Sequence, residues 1–211
     1  MKGLYPILDL DALAAAQVPL SDLAERVLRV HPPLLQLRAK SQSAREILAA
    51  GRVLLDLCAT HGNHTRLVIN DRADLAAMLG APLVHVGQKD APLADVQRAF
   101  PQLGVGISTH TLDEVRDAAR LRPAYIAFGP VFPTESKKNP EPTVGIEGLA
   151  AARAVVDQEA PGTPLVAIGG ISLARCEAVA SYASMAAVIS ALVRSDATEH
   201  ARSMHLALGG A

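Results

Sequence analysis

Gln36, Arg38 and Lys40 alternate with Leu37 and Ala39 in the run "LLQLRAK". In an extended segment this spacing sends all three polar side chains to one side. A guanidinium offers a flat fork of donors and an ammonium a mobile point charge, so Arg38 and Lys40 together suit a polyanion. A second polar group closes the run "IAFGPVFPTESKK", where Thr134, Ser136 and Lys137 follow an apolar stretch and a Gly-Pro turn. Taken alone, that loop reads as a solvated turn with ordinary surface lysines. Asp71 in "INDRADLA" and Asp90 in "HVGQKD" also follow apolar runs. They could share a hard cation such as Mg2+, which takes one or two carboxylates plus phosphate oxygens. Each can equally be read as the cap of the helix that follows.

The elements that must position these groups are short and regular. Candidate strands are residues 4–8, 34–38, 66–70, 82–86, 104–108, 124–128, 164–168 and 186–190. Most are continuously apolar, as expected of strands buried on both faces of a parallel sheet. Amphipathic segments lie between them. Ser43 with Glu46, and Thr111 with Glu114, form capping-box patterns, and Gly62 stands near the end of the first of these helices. Eight such β-then-α units in 211 residues predict an α/β chain folded as one (β/α)₈ TIM-barrel domain over residues 1–211.

In that fold the chemistry sits at the C-terminal ends of the strands. Gln36, Arg38, Lys40, Asn70, Asp71, Gln88, Asp90 and Ser108 fall at such ends, and Lys137 follows the sixth. The loops after strands seven and eight, which often bind phosphate in this fold, carry Gly169-Gly170 and the backbone at Ile189-Ser190. The pattern predicts two anionic subsites: one cationic and metal-assisted, the other built mainly of backbone N–H groups. His85 falls within a strand and reads as a hydrogen-bonded interior histidine. His110, His61 and His64 read as loop residues.

Composition narrows the classes. Half of the residues are hydrophobic but only 3% are aromatic, so Ala, Leu and Val must fill the core. A net charge of −1 gives no footprint for nucleic acid or an anionic membrane. Asp9 and Asp11 interrupt the first apolar run, and the longest uncharged run, 178–193, contains Ser and Tyr, so neither a secretory nor a spanning segment is expected. Two cysteines without metal-type spacing point to a reducing, cytoplasmic setting. Small molecules are the expected partners, and a homo-oligomer is compatible with the sequence.

The runs "QLRAK", "INDRADLA", "HVGQKD", "GISTHT", "AFGPVFPTESKK", "AIGGI" and "AVISAL", in order across nearly the whole chain, resemble the thiamine phosphate synthase family, which includes related thiazole tautomerases. The resemblance implies a transferase that joins 4-amino-2-methyl-5-hydroxymethylpyrimidine diphosphate to a thiazole phosphate or its carboxylate form, releasing pyrophosphate with Mg2+ in a dissociative substitution. It implies that Gln36 contacts the pyrimidine, and that Arg38, Lys40, Asn70, Ser108 and Lys137 hold the diphosphate. Asp71 and Asp90 would bind Mg2+. Thr134 and Ser136, with the backbone at Gly169, Gly170, Ile189 and Ser190, would hold the thiazole phosphate. Ser136 stands where the family usually has Thr, and Asp9 ends a first strand that lacks the usual Thr-Asp. The tautomerase branch carries His where this chain has Pro130, and often lacks the Gln88 and Asp90 positions. A catalytically silent paralogue that binds thiamine phosphates is a third reading.

Overall fold

Side chains alternate between two separate cores. Tyr5, Ile7, Leu34, Val68, Leu83, Tyr125, Ala127, Val166, Met185 and Ala187 pack together in one. Their neighbours, among them Leu4, Leu8, Leu35, Leu37, Ile69, Val84, Ile126 and Leu165, join a larger core containing the helices. Two-sided burial is why these strands read as continuous apolar runs. The computed structural model, which describes residues 1–134 and 141–211, has eight parallel strands. They are β1 (Gly3–Asp9), β2 (Leu34–Arg38), β3 (Arg66–Asn70), β4 (Leu83–Val86), β5 (Gly104–Thr109), β6 (Tyr125–Phe128), β7 (Leu165–Ile168) and β8 (Met185–Val188). Each pairs with its neighbour in sequence, and β1 pairs with β8, so the sheet closes into the expected (β/α)₈ barrel.

The outer layer consists of α1 (Leu10–Ala15), α2 (Leu20–Leu28), α3 (Ala44–Thr60), α4 (Ala73–Leu79), α5 (Leu93–Ala99), α6 (Leu112–Arg120), α7 (Gly145–Glu159), α8 (Cys176–Ala180) and α9 (Ala197–Ala207). Both predicted capping boxes form, Ser43 with Glu46 opening α3 and Thr111 with Glu114 opening α6. No helix among the described residues is long and apolar enough to cross a membrane.

The last strand ends earlier than the apolar run. The sequence places it at 186–190, but the ladder stops at Val188, because Ile189 (φ −113°, ψ −82°) leaves the extended region and starts a single helical turn, Ser190–Leu192. Few aromatic rings are needed to fill the barrel because one strand makes room for a large one. A Cβ on Gly106 would stand 2.1 Å from Tyr125 Cζ, so the bare backbone of β5 accepts the ring from β6.

Beneath the opposite rim, His205 of α9 is 4% exposed, and its Nδ1 accepts the Leu4 backbone N–H at 3.2 Å. That bond requires a ring unprotonated at Nδ1, and burial pushes the imidazole pKa below its ordinary value; a hydrogen bond to the Ala211 backbone opposes the shift and nearby His31 adds to it. A depressed histidine contributes stability that is complete above the unfolded pKa of about 6.5 and is lost as pH falls towards the folded value. The thermal midpoint should therefore drop as pH is lowered from about 7 to 5.5, at up to about 1.4 kcal/mol per pH unit. His205→Asn, whose amide oxygen can accept the same N–H without titrating, should flatten that limb. Equal slopes in the two proteins would remove His205 from the account.

Candidate active site

At the C-terminal ends of the strands lies a cavity of about 520 Å³. Gln36, Arg38 and Lys40 all line it, while Leu37 is buried in the helix-facing core, as β2 pleating requires. Arg38 does not stand alone. It pairs in register with Asp9 of β1 and its Nη1 donates to Asp9 Oδ2. Asp9 Oδ1 meanwhile accepts the Ala12 N–H at 2.9 Å and caps α1. One carboxylate thus fixes both a helix start and the guanidinium.

Lys40 Nζ is ion-paired with Asp71 Oδ2. Asp71 occupies the left-handed region (φ 62°), where its N–H donates to His85 O at 2.7 Å and ties the end of β3 to β4. Non-glycine residues in this region are strained, and such strain gathers at ligand-holding positions. Burial raises the Asp71 carboxyl above the ordinary carboxylate range; Lys40 opposes that rise and the neighbouring Asp90 carboxylate adds to it. Asp90 Oδ2 accepts the Gly87 N–H at 2.7 Å. Neither acid is a helix cap: the N-cap positions of α4 and α5 are Arg72 and Pro92, neither with a side-chain cap bond, and Arg72 pairs with Asp74.

Two adjacent carboxylates with no third His, Cys, Asp or Glu clustered beside them, among the described residues, suit a cation that completes its shell with phosphate and water. The donor set therefore fits Mg2+ and does not fit a structural zinc site. Beside it, Asn70 is 8% exposed and its Nδ2 is a buried donor without a partner among the described residues. Leaving a buried donor unmade costs about 1–3 kcal/mol. An acceptor on a bound ligand removes that cost.

Across the cavity, Gly169 (φ 96°) and Gly170 (φ 62°) form the turn after β7. A Cβ on Gly170 would lie 2.4 Å from Pro133 O, and one on Gly169 2.5 Å from Pro130 Cβ, so the two loops meet backbone to backbone. Val131 N–H donates to Ile168 O (2.9 Å) and Phe132 N–H to Gly169 O (3.1 Å). Arg175 spans the seam, donating to Gly170 O at 2.6 Å with its guanidinium 4.4 Å from the centre of the Phe132 ring. Thr134, Ile189 and Ser190 complete this side of the cavity. Ser136 and Lys137 lie outside the described residues.

Under the cavity, His85 bonds Tyr125 Oη through Nδ1 (2.9 Å) and Ser108 Oγ through Nε2 (2.8 Å), so it is the hydrogen-bonded interior histidine its place in the strand predicts. Tyr5, Tyr125, Asp9 and Arg175 carry interactions that sequence reading leaves out. For the two tyrosines the available signal is inward parity on β1 and β6; for Arg175 there is none.

A family model described as thiamine monophosphate synthase matches residues 4–192. The chain belongs to that family. It is 37% identical over 212 residues to a thiamine-phosphate synthase of Koribacter versatilis (strain Ellin345), covering 97% of each chain. It is 39% identical over 176 residues to one from Neisseria meningitidis serogroup A, covering 82% of this chain and 83% of that one. Among solved structures, a thiamine phosphate pyrophosphorylase from Pyrococcus furiosus superposes with TM-score 0.84 at 27% identity, covering 98% of this chain and 95% of the other. Tryptophan synthase from M. tuberculosis, at 11% identity and TM-score 0.70, covering 98% of this chain and 93% of that one, shares the fold alone. Many chemistries use this barrel, so likeness of fold alone assigns no activity.

Proposed function

We propose that this enzyme is a thiamine phosphate synthase, joining 4-amino-2-methyl-5-hydroxymethylpyrimidine diphosphate to 4-methyl-5-hydroxyethylthiazole phosphate, or its carboxylate form, with release of pyrophosphate. The observation that supports the reading is one cavity with two unlike sides, each proposed as an anion subsite. One is lined by Arg38, Lys40, Asn70, Asp71, Asp90 and Ser108; the other is bordered by Gly169, Gly170 and Ile189-Ser190. A diphosphate and a monophosphate match that division.

Arg38 and Lys40 face the diphosphate and stabilise the charge that grows on it as the C–O bond breaks, which is electrostatic catalysis without a protein nucleophile. Lys137, which follows the sixth strand in the sequence, is proposed for the same role from that position and from the family resemblance. Asn70 donates its amide N–H to a diphosphate oxygen, and Ser108 its hydroxyl. Asp71 and Asp90 would hold Mg2+, which when bound supplies further neutralisation of the leaving group. Gln36 orients the pyrimidine. The glycine loop, Thr134, Ser136 and the Ser190 backbone hold the thiazole phosphate so that its ring nitrogen faces the electron-poor methylene carbon. Holding both reactants in that geometry removes several kcal/mol of entropic barrier, on the order of 7–11 at the limit.

The test is incubation with both phosphorylated substrates and Mg2+. Thiamine phosphate and pyrophosphate should appear together, and EDTA should abolish both. A tautomerase needs an acid or base at the thiazole ring; Pro130 supplies none, and His110, whose Nδ1 is held 2.6 Å from Gly129 O in the same cavity, is the group that such a reading would have to use. Metal-independent isomerisation of the thiazole carboxylate, uncoupled from the pyrimidine diphosphate, would reverse the assignment.

A further inference from the structure

A continuous line of hydrogen bonds crosses the floor of the cavity. Gln36 Nε2 donates to Tyr5 Oη at 2.7 Å, and the Tyr5 and Tyr125 hydroxyls are 2.8 Å apart. Tyr125 Oη is 2.9 Å from His85 Nδ1, and His85 Nε2 is 2.8 Å from Ser108 Oγ. Gln36, Tyr5, Tyr125 and His85 are all at least nine-tenths buried. Buried polar groups of this kind are satisfied by one another.

With the Gln36 amide donating to Tyr5 and His85 neutral, the proton count sets the direction of every other bond. Tyr5 Oη accepts a hydrogen bond from the Gln36 amide, so its own hydroxyl proton has one buried acceptor left, Tyr125. The Tyr125 proton then has one acceptor left, His85 Nδ1. His85 is consequently protonated at Nε2 and donates to Ser108, whose own hydroxyl proton is released towards the cavity it lines. Burial pushes both phenol pKa values above their ordinary range, so both keep their protons. Turning the Gln36 amide over reverses the whole line: Ser108 then donates inwards and Gln36 presents N–H groups to the ligand. Amide orientation at one end and hydroxyl polarity at the other are therefore a single variable.

We propose that this line makes recognition of the amino group and recognition of the diphosphate one correlated event. It rests on the substrate assignment above and adds a device to it. With Gln36 donating inwards, its Oε1 faces the ligand and accepts from an exocyclic amine, while Ser108 donates to an anion. A pyrimidine carrying an oxo group at the amine position requires the opposite amide orientation, and that orientation takes the Ser108 donor away from the diphosphate. Tyr5, Tyr125 and His85 are positioning residues for specificity, acting through Gln36 and Ser108.

The experiment compares the 4-aminopyrimidine diphosphate with its 4-oxo counterpart, measuring kcat/KM for each in wild type, Tyr125→Phe, Tyr5→Phe and the double variant. Phenylalanine keeps each ring, including the Tyr125 ring that packs against Gly106, and removes the hydroxyl, so in Tyr125→Phe Gln36 can turn independently of Ser108. The wild type should prefer the amino substrate, and Tyr125→Phe should lower the ratio of the two kcat/KM values about tenfold, with Tyr5→Phe lowering it less because Gln36 also interacts with the Tyr125 hydroxyl. The double variant should lower it no further than Tyr125→Phe, because loss of the Tyr125 hydroxyl already disconnects His85 from Gln36. A loosened barrel reduces both substrates in proportion, so unchanged ratios in folded variants overturn the proposal. A readout that needs no variant is the ¹⁵N spectrum of His85 with the aminopyrimidine diphosphate and Mg2+ bound. It should show the Nε2–H form, and the Nδ1–H form overturns the proposal. A wild type that turns over neither diphosphate sinks the synthase reading itself, and the line with it.

Discussion

Replacing Asp90 with alanine should lower kcat/KM by on the order of 100- to 1000-fold, the scale of removing one preorganised charge-stabilising group. Thiazole phosphate binding should change little, because Gly169, Gly170 and Ser190 stand on the other side of the cavity. Asp90 has two roles that alanine removes together: it faces Asp71, and it accepts the Gly87 N–H. Asp90→Asn separates them, since an amide oxygen can still accept from Gly87 but no longer carries charge. If the carboxylate matters because it holds Mg2+, asparagine should be nearly as impaired as alanine and should need far more Mg2+ for its residual rate. If asparagine restores most of the activity, Asp90 is a loop fastener and the metal assignment fails. Calorimetry of Mg2+-dependent diphosphate binding separates the same two cases without turnover.

The parts of this structure that follow local rules can be read from the chain. Two-sided burial makes strands continuous in the sequence. Capping boxes fix where α3 and α6 begin, and alternation in β2 sends Gln36, Arg38 and Lys40 to one side. What stays out of reach depends on register between distant segments. Asp9 meets Arg38 because β1 and β2 pair at that position, and nothing in "ILDLD" states it. Tyr5 and Tyr125 are 120 residues apart and meet only when the barrel closes. Gly106 reads as a weak strand residue until the Tyr125 ring occupies the space its side chain would take. The end of β8 is hidden because Ile189 is apolar like the strand before it, and only its backbone angles show the turn. Helix capping is a fair local reading of Asp71 and Asp90. The pair is instead turned towards Lys40, Gly87 and each other.

The second large effect is expected at Arg38, and lysine is the informative replacement there. Arg38→Ala would leave Asp9 buried without its cation, and breaking a buried pair destabilises by about 3–5 kcal/mol. Lost activity in that variant would therefore be ambiguous. Arg38→Lys keeps the charge and can keep Asp9 paired, so the thermal midpoint should stay close to wild type. The guanidinium has five N–H donors in a rigid fork, so one edge can serve Asp9 while the other faces an anion. An ammonium is compact and serves the two partners by turns. With Asp9 only 7% exposed and already committed to α1 through its other oxygen, the carboxylate cannot follow the ligand. The lysine should settle on Asp9, and kcat/KM for the pyrimidine diphosphate should fall about 100-fold, the lower end of the loss for one preorganised donor. Releasing the side chain with Asp9→Asn in the Arg38→Lys background should recover part of that loss if competition for the ammonium is the cause. Full activity in Arg38→Lys alone would mean that only net charge is read at this position, and no recovery in the double variant would mean that Asp9 does not decide where the cation points.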